Sequence, residues 1–597
     1  MPENSSFDFQ ILGNIFLKKK IQNNNEWKDR SVNTFIKIPD GADPLEIENK
    51  INKLTKQFQD LGIRYHLQPL CDIYLHTSRL RDYDLSKGNI GFVRLLGLVG
   101  IIIFILGVVN LVLLSTAGIT YRISEFDIRK TLGANRNDVI KQINIEGLIL
   151  ISFALLVAMV MIEVLQPYIE NLFIKDFGIN RNFLLSYIFF SIIIICLLLI
   201  IPNIFVLSAF IKISPLLALN KKFSYRIKRN LIKRFLITIQ ITLFLILMNF
   251  TVLIYKQLNF IKHKDLGFEK NNLLVFNTWN TNFIKHYYAF KEEALKNPDI
   301  LNISGSPFGI PAFNTAIQNI THFTDPSKEI VFRHYLVDYD FFKTLRIKIL
   351  KGRTFSINIP SDSKNSIIIN QTGVESLGLT DPLNESINSK KIIGVVDDFL
   401  LLPLQYEKVP LLINLSPGNA YNVIIRFQEG KEPEVLPMLK NLWGNFVSDT
   451  PLNFYFFDNY LDLVYKKEIN FAEIVRLLTV IAIVIGCFGI IGYYYYILSY
   501  QRKEVVIKKV FGSPVGNIYQ GLIKNFTLEV FISLLLSVPM SYFLMNNWLQ
   551  NFAFRTQISA LIFISNGIIC FLIILFISGY HVIKTASTNP VEFLRYN

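Results

Sequence analysis

Apolar positions in this chain gather into runs longer than any soluble core element needs. Seven of them, near 95–117, 145–166, 183–209, 235–255, 477–498, 526–545 and 558–580, reach the length of about 20 residues that a helix needs to cross a bilayer. Each predicts a transmembrane helix. Glu163 and Glu529 sit near the ends of the second and sixth. Pro202 and Pro539 lie inside two others, where neighbouring helices can satisfy the freed carbonyls. Residues 1–30 are polar and hold no apolar core of the signal-peptide kind.

Two long stretches between these runs read differently. In 43–62, Leu45, Ile47, Ile51, Leu54, Phe58 and Leu61 recur mostly every three or four positions and Gly62 follows, which predicts a helix packed on a sheet. Short flanking runs at 34–38 and 64–67 predict strands. Residues 256–474 alternate strand-like runs (272–276, 330–337, 366–369, 391–396, 411–415, 423–427 and 453–457) with helical patterns at 286–295 and 434–443. That order predicts an α+β domain, or two small ones. Gly352-Arg353 and Asp397-Asp398 fall at turns between such elements.

Composition agrees with a membrane protein, since 51% of the 597 residues are hydrophobic and only 18% charged. The net charge of +15 comes from lysines and arginines clustered beside the apolar runs. Loops 118–144, 210–234 and 499–525 are rich in them, whereas 167–182 and 546–557 are poor. By the positive-inside rule the three basic loops and the C-terminus are cytoplasmic, and 1–93 and 256–474 lie outside. No basic–aromatic motif of a nucleic-acid module occurs, so no nucleic-acid partner is expected. Charged residues Arg94, Glu163, Glu473, Arg476 and Glu529 lie near span ends, where they can reach the interface, while Asn110 and Asn203 lie deep in spans and suit interhelical hydrogen bonds.

One short pattern occurs twice. Residues 125–133 read EFDIRKTLG and residues 504–512 read EVVIKKVFG. Glu125, Ile128, Arg129, Lys130, Leu132 and Gly133 match Glu504, Ile507, Lys508, Lys509, Phe511 and Gly512. Each copy follows an apolar run that opens Val-Arg-Leu-Leu, at Val93 and at Val475, and precedes another such run. Each copy predicts a short helical continuation of a span, a turn at a glycine that accepts left-handed angles, and then an amphipathic stretch. A charged helix end beside the membrane is a shape that the groove of an ATPase can hold. The chain has no G-x-x-x-x-G-K-[ST] motif, so the ATP site is expected on another subunit and no cofactor on this one.

Other chemistry is thin. His66, Cys71 and His76 match no zinc spacing, and the remaining cysteines, Cys196, Cys487 and Cys570, lie in apolar runs. The acid pairs Asp338/Asp340 and Asp397-Asp398 are expected to be solvated and have no recognisable base or nucleophile beside them.

The two motif copies define two units that run in the same direction. The second opens with helix 235–255 and a large outer segment. From Phe235 to Arg476 is 241 positions, only 93 residues precede Arg94, and 241 − 93 leaves 148 without a counterpart. The expectation is a first unit lacking its opening helix, through truncation or a misassigned start, with a naturally shortened protein as the alternative.

The segments SEFDIRKTLGANRNDVI and QRKEVVIKKVFGSPVGNI, with HLQPLCDIYLHT at 66–77, HKDLGFEKNNLLVFN at 263–277, VDYDFFKTLRIKILKGRTF at 337–355 and IIGVVDDFLLLPL at 392–404, resemble the FtsX-like and MacB-like ABC transporter permeases, in their double-unit Bacteroidota form. Similar proline-containing stretches, 214–219 and 589–594, follow each half. The resemblance implies a membrane α-helical protein, with seven transmembrane helices in two parallel repeat units and extracytoplasmic α+β domains. It divides the chain into 1–93 (remnant of the first outer domain), 94–220 (first transmembrane unit), 221–255 (basic linker and opening helix), 256–474 (second outer domain) and 475–597 (second transmembrane unit). It implies a non-enzymatic permease in the cell inner membrane, paired with a dimeric ABC ATPase that docks on 125–141 and 504–520, and with a periplasmic adaptor or outer-membrane component as further partners. ATP-driven motion would then export or extract a periplasmic substrate. The alternative in the same family is a signalling protein that regulates an outer hydrolase or a sensor kinase.

Overall fold

The computed structural model describes residues 35–39, 41–58, 65–70, 72, 90–131, 136–173, 193–194 and 224–586, apart from 279, 313, 314, 324, 326, 448–451 and 512. Over 55–58, 115–131, 136–140, 143, 171–173, 224–232, 281, 493–510, 515, 518–519, 521–526 and 581–586 it describes the backbone alone. The chain forms two units, residues 1–100 with 174–179, and residues 101–173 with 180–597.

In the first unit, helix α1 (Pro44–Phe58) forms as its spacing predicts. The sheet expected beneath it is not found among the described residues. Leu45 and Leu54 are exposed, and 35–38 and 65–67 are irregular rather than strands. The reason is polar. The Asn52 amide donates to the Tyr65 carbonyl at 2.8 Å and accepts from its N–H at 2.7 Å. Glu48 accepts from the Leu67 N–H and meets His66 Nδ1 at 2.8 Å. Side chains on α1 thus take the backbone groups a strand partner would have used. Gly62, Cys71 and His76 lie outside the described residues.

Two long helices flank the first motif, α2 (Ile90–Thr131) and α3 (Arg136–Phe173). After them comes α4 (Ser224–His263). Among the described residues six helical segments are long and apolar enough to span a membrane: Ile90–Leu114, Asn144–Glu170, Lys233–His263, Lys466–Gly492, Thr527–Leu549 and Ala560–Tyr580. They correspond to six of the seven expected helices. The remaining one, 183–209, with Cys196, Pro202 and Asn203, lies outside the described residues except for helical 193–194.

The large domain begins with β1 (Leu273–Asn277) and helix α5 (Thr281–Ala294), whose cap Asn280 accepts from the N–H groups of Asn282 and Phe283. Strands β2 (Ile300–Ser306), β3 (Ile317–Thr321) and β4 (Glu329–Val337) follow, then helix α6 (Phe341–Leu345), β5 (Ile349–Gly352), β6 (Ser366–Asn370) and helix α7 (Gln371–Leu377). Next come β7 (Ser386–Ile387), β8 (Lys390–Val396), β9 (Leu411–Leu415), β10 (Asn422–Phe427), helix α8 (Glu432–Phe446), β11 (Phe454–Phe456) and helix α9 (Phe457–Val464). The chain then re-enters long helices, α10 (Lys466–Val510), α11 (Val515–Leu549) and α12 (Ala560–Ala586).

The strands form two sheets, one ordered β11-β1-β10-β2 and a larger one ordered β3-β4-β9-β6-β8-β5 with β7 beside β8. The small sheet packs α5 and α8 against one face through the edge-to-face rings of Phe276, Phe283, Phe290 and Trp443. Its other face shares a core with the large sheet: Leu273, Val275 and Ile424 pack with Tyr335, Val337, Ile368 and Ile413. The expected α+β domain is therefore one body with two sheets. Strands β2, β3, β5 and β7 were not foreseen. Three of them are exposed along much of their length, or only two residues long, so they lack the apolar run that marks a buried strand.

Candidate functional site

The expected coupling residues lie at helix ends. Glu125, Ile128, Arg129 and Lys130 are on α2, which stays helical to Thr131, and Glu504, Ile507, Lys508 and Lys509 are on α10, which stays helical to Val510. Leu132, Gly133 and Gly512 lie outside the described residues. From the first basic residue after each apolar run, Arg122 and Arg502, the helices continue for 10 and 9 residues, or roughly 15 Å at about 1.5 Å per residue. Each motif is thus carried on an unbroken extension of a spanning helix rather than on a separate short one. Phe511 is the one described side chain in the two copies, and at 86% exposure it stands clear of the protein.

Behind α10, the bundle is held by polar contacts on α4. The Gln240 amide donates to the Gly486 carbonyl at 2.9 Å, and the Asn110 amide of α2 donates to the Ile485 carbonyl at 3.2 Å. Gly489 admits both side chains, since a Cβ there would lie 2.4 Å from Gln240 Nε2 and 2.9 Å from Asn110 Oδ1. Asn249 donates to Ser541 Oγ at 3.2 Å and accepts from Asn566 Nδ2 at 2.9 Å, which ties α4 to α11 and α12. Thr251 and Thr479 hydroxyls meet at 2.6 Å. Asn110 behaves as its place in the span predicts. Gln240, Asn249 and Asn566 were passed over, although a polar amide inside an apolar run was the signal that singled out Asn110. Glu529 does not reach the interface as expected: it is buried, with Arg234 Nε at 3.6 Å. Arg94 and Glu163 are exposed, and Arg476 pairs with Glu473 at 2.6 Å.

The large domain is joined to these helices by a short relay. Leu404, at the end of the Phe399–Leu404 loop, accepts from the Phe554 N–H at 3.2 Å, and its own N–H donates to Tyr465 Oη at 3.0 Å. Gln405 donates to Glu468 at the start of α10 at 3.0 Å. Gln257, fully buried on α4, donates to the Phe554 carbonyl at 2.9 Å and accepts from the Thr556 N–H at 2.8 Å. The loop that makes these contacts is packed by Phe399, Leu401, Leu402 and Leu404.

Within the domain the acid pairs have structural partners. Asp338, expected to be solvated, is buried and accepts from Tyr287 Oη, Lys291 Nζ, Ser304 Oγ and the Gly305 N–H at 2.8, 3.0, 2.5 and 3.0 Å. Lys291 also meets Asp340 at 2.7 Å. Burial and the adjacent Asp338 carboxylate push the Tyr287 hydroxyl pKa well up. Since α5 and β2 belong to the small sheet and Asp338 follows β4 of the large one, this cluster rivets the two sheets together. Arg426 forms a second rivet: its guanidinium donates to the carbonyls of Thr344, Asn271 and Glu269. Asp398 is also partnered, by the Thr372 N–H and hydroxyl, Asn370 and Lys408. Asp362 takes both Arg353 nitrogens at 2.6 and 2.8 Å, and this hydrogen bonding holds its carboxyl below the usual range. Gly352, expected at a turn, ends β5 with φ +73°, where a Cβ would strike the Ile393 carbonyl. Cys487 and Cys570 are free thiols. Among the described residues no group of three or more His, Cys, Asp and Glu side chains could hold a metal ion.

Six helical segments long and apolar enough to span a membrane, together with a two-sheet domain, fit a multi-pass membrane protein. The family described as FtsX-like permease C-terminal matches residues 97–221 of this chain. Such permeases are non-enzymatic membrane components that generally work with an ABC ATPase. No curated protein matches the chain. Among solved structures, the periplasmic region of MacB from Actinobacillus actinomycetemcomitans matches at TM-score 0.25 and 11% identity, over 34% of this chain and 97% of that one. The extracellular domain of the noncanonic ABC-type transporter YknZ from Gram-positive bacteria matches at TM-score 0.20 and 16% identity, over 30% and 97%. A domain of a protein described as a permease from Porphyromonas gingivalis matches at TM-score 0.21 and 12% identity, over 31% and 90%. Likeness at that level carries no function to this chain.

Proposed function

We propose that this chain is the transmembrane subunit through which a separate ATPase moves the large domain, exporting or extracting a substrate on that domain's side of the cell inner membrane. The observation that carries the reading is the pair of motif copies borne on unbroken extensions of α2 and α10. A continuous helix transmits displacement along its axis better than a hinged one, because its hydrogen-bond ladder has no break at which to bend. The polar contacts of α4 with α10 and the Leu404–Tyr465 relay supply the path to the domain. ATP binds to the partner, and the docking residues are Glu125, Ile128, Arg129, Lys130, Leu132 and Gly133 with Glu504, Ile507, Lys508, Lys509, Phe511 and Gly512.

The test is co-purification with a P-loop ATPase from the same cells. The paired substitutions Glu125→Lys and Glu504→Lys, and separately Phe511→Asp, are expected to reduce the bound ATPase at least about tenfold, as charge reversal does at an interface. Full retention of the ATPase by the double reversal would overturn the reading.

A further inference from the structure

The large sheet ends on β5, which pairs with β8 on one side and, among the described residues, with no strand on the other. All four of its residues are exposed. Ile349 at 41% exposure and Leu350 at 38% leave two large apolar side chains open beside a bulge that interrupts the usual alternation of faces. The ladder to β8 skips Leu350. Beside the strand runs a groove of about 880 Å³, walled by Ile349, Ile357, Tyr288 and Leu295. Ile357 is 68% exposed.

The charge on the strand itself has one sign, while Glu292 and Asp340 line the groove beside it. Residues 346–353 read Arg-Ile-Lys-Ile-Leu-Lys-Gly-Arg. Arg346 and Arg353 are taken by Glu269 and Asp362. Lys348 and Lys351 have no ion pair among the described residues, and they bracket the two apolar side chains. Lysines on an edge strand repel a like edge, which disfavours pairing between the β5 strands of two copies. They attract an acidic strand. Directly opposed cross-strand residues interact in pairs, so the order basic–apolar–apolar–basic specifies its complement.

We infer that β5 is a docking edge for an extended segment of a partner protein that adds a strand to the large sheet, with acidic, apolar, apolar and acidic residues opposite Lys348, Ile349, Leu350 and Lys351. Backbone hydrogen bonds would give such a contact its affinity, and the alternating side chains its selectivity. The inference stands apart from the ATPase reading, because it concerns a different surface and a different partner.

The probe is a labelled synthetic peptide centred on Glu-Ile-Val-Glu, titrated by fluorescence anisotropy onto the full chain in nanodiscs. Its affinity is expected to fall at least about tenfold on the double variant Lys348→Glu/Lys351→Glu, a surface change that leaves the core alone. A Lys-Ile-Val-Lys peptide is expected to bind that variant and not the original chain. N-methylating one alternate set of peptide amides is expected to abolish binding, and the other set to spare it, because only one set faces β5. Three results would overturn the proposal: no binding at about 1 mM peptide, equal binding of both peptides, or indifference to both N-methylated sets. Disulfide linking of two Leu350→Cys copies at β5 would also overturn it, in favour of a second copy.

Discussion

The large domain and the helical bundle both bury polar groups, but different ones. The domain buries charges, and each is surrounded: Asp338 by donors from α5, β2 and Asp340, Arg426 by three carbonyls, Asp362 by a bidentate arginine. The bundle relies mostly on amides and hydroxyls, with one or two partners each. The contrast follows from the two solvents. In water, apolar burial drives the fold and a charge can be enclosed if its hydrogen bonds are complete. In lipid, apolar side chains gain nothing by turning inward, so the residues that find neighbours are those with a hydrogen bond to satisfy or a small volume that allows close approach. Helices α3 and α4 show it directly. The apolar stretch of α3 is the more hydrophobic, with mean hydropathy 2.8 against 2.2, yet none of it is buried, whereas 67% of that of α4 is.

The comparison can be broken at several points. Asp338→Ala removes the shared acceptor and leaves Lys291 buried beside Asp340 alone. It is expected to destabilise the domain by about 3–5 kcal/mol, seen as faster hydrogen exchange across β2 and α5, and unchanged exchange there would show that the rivet is dispensable. Gly489→Leu drives a side chain into Gln240 and Asn110. It is expected to cost about 1–3 kcal/mol through overpacking, measured as a lower midpoint in thermal unfolding of the purified protein. Asn249→Leu leaves Ser541 and Asn566 without their shared amide. A loss of about 0.6–1.7 kcal/mol is expected, and a gain in stability would mean that shape, not hydrogen bonding, holds α4. Leu156→Ala on α3 is expected to change stability by less than about 0.5 kcal/mol. A larger drop in the same unfolding assay would reveal packing against α3 and weaken the contrast.

Much of this organisation was visible in the linear pattern. The six described spans coincide with apolar runs because length and hydropathy alone decide whether a helix can cross a bilayer. Strands β4, β6, β8, β9 and β10 announced themselves through runs rich in apolar and β-branched residues, and the doubled EFDIRKTLG/EVVIKKVFG pattern marked where two helices end. Strand β5 was hidden because its basic, half-apolar sequence is stabilised by one neighbour, β8, supplied from about forty residues away. Among the described residues no strand stands beside α1, for a related reason: Asn52 and Glu48 capture the backbone of 65–67 locally.

What the sequence determined by itself was therefore local or additive: which segments are apolar enough to span, where helices carry charge past them, and that a motif recurs. Tertiary structure decided the rest. Whether Asp338 is solvated or enclosed, whether Gln240 is a stray amide or a staple on α10, and whether Ile349 faces a groove all depend on which distant elements meet. Hydropathy sums over a segment, but hydrogen bonds and edges are properties of pairs, and the pairs exist only once the chain has folded.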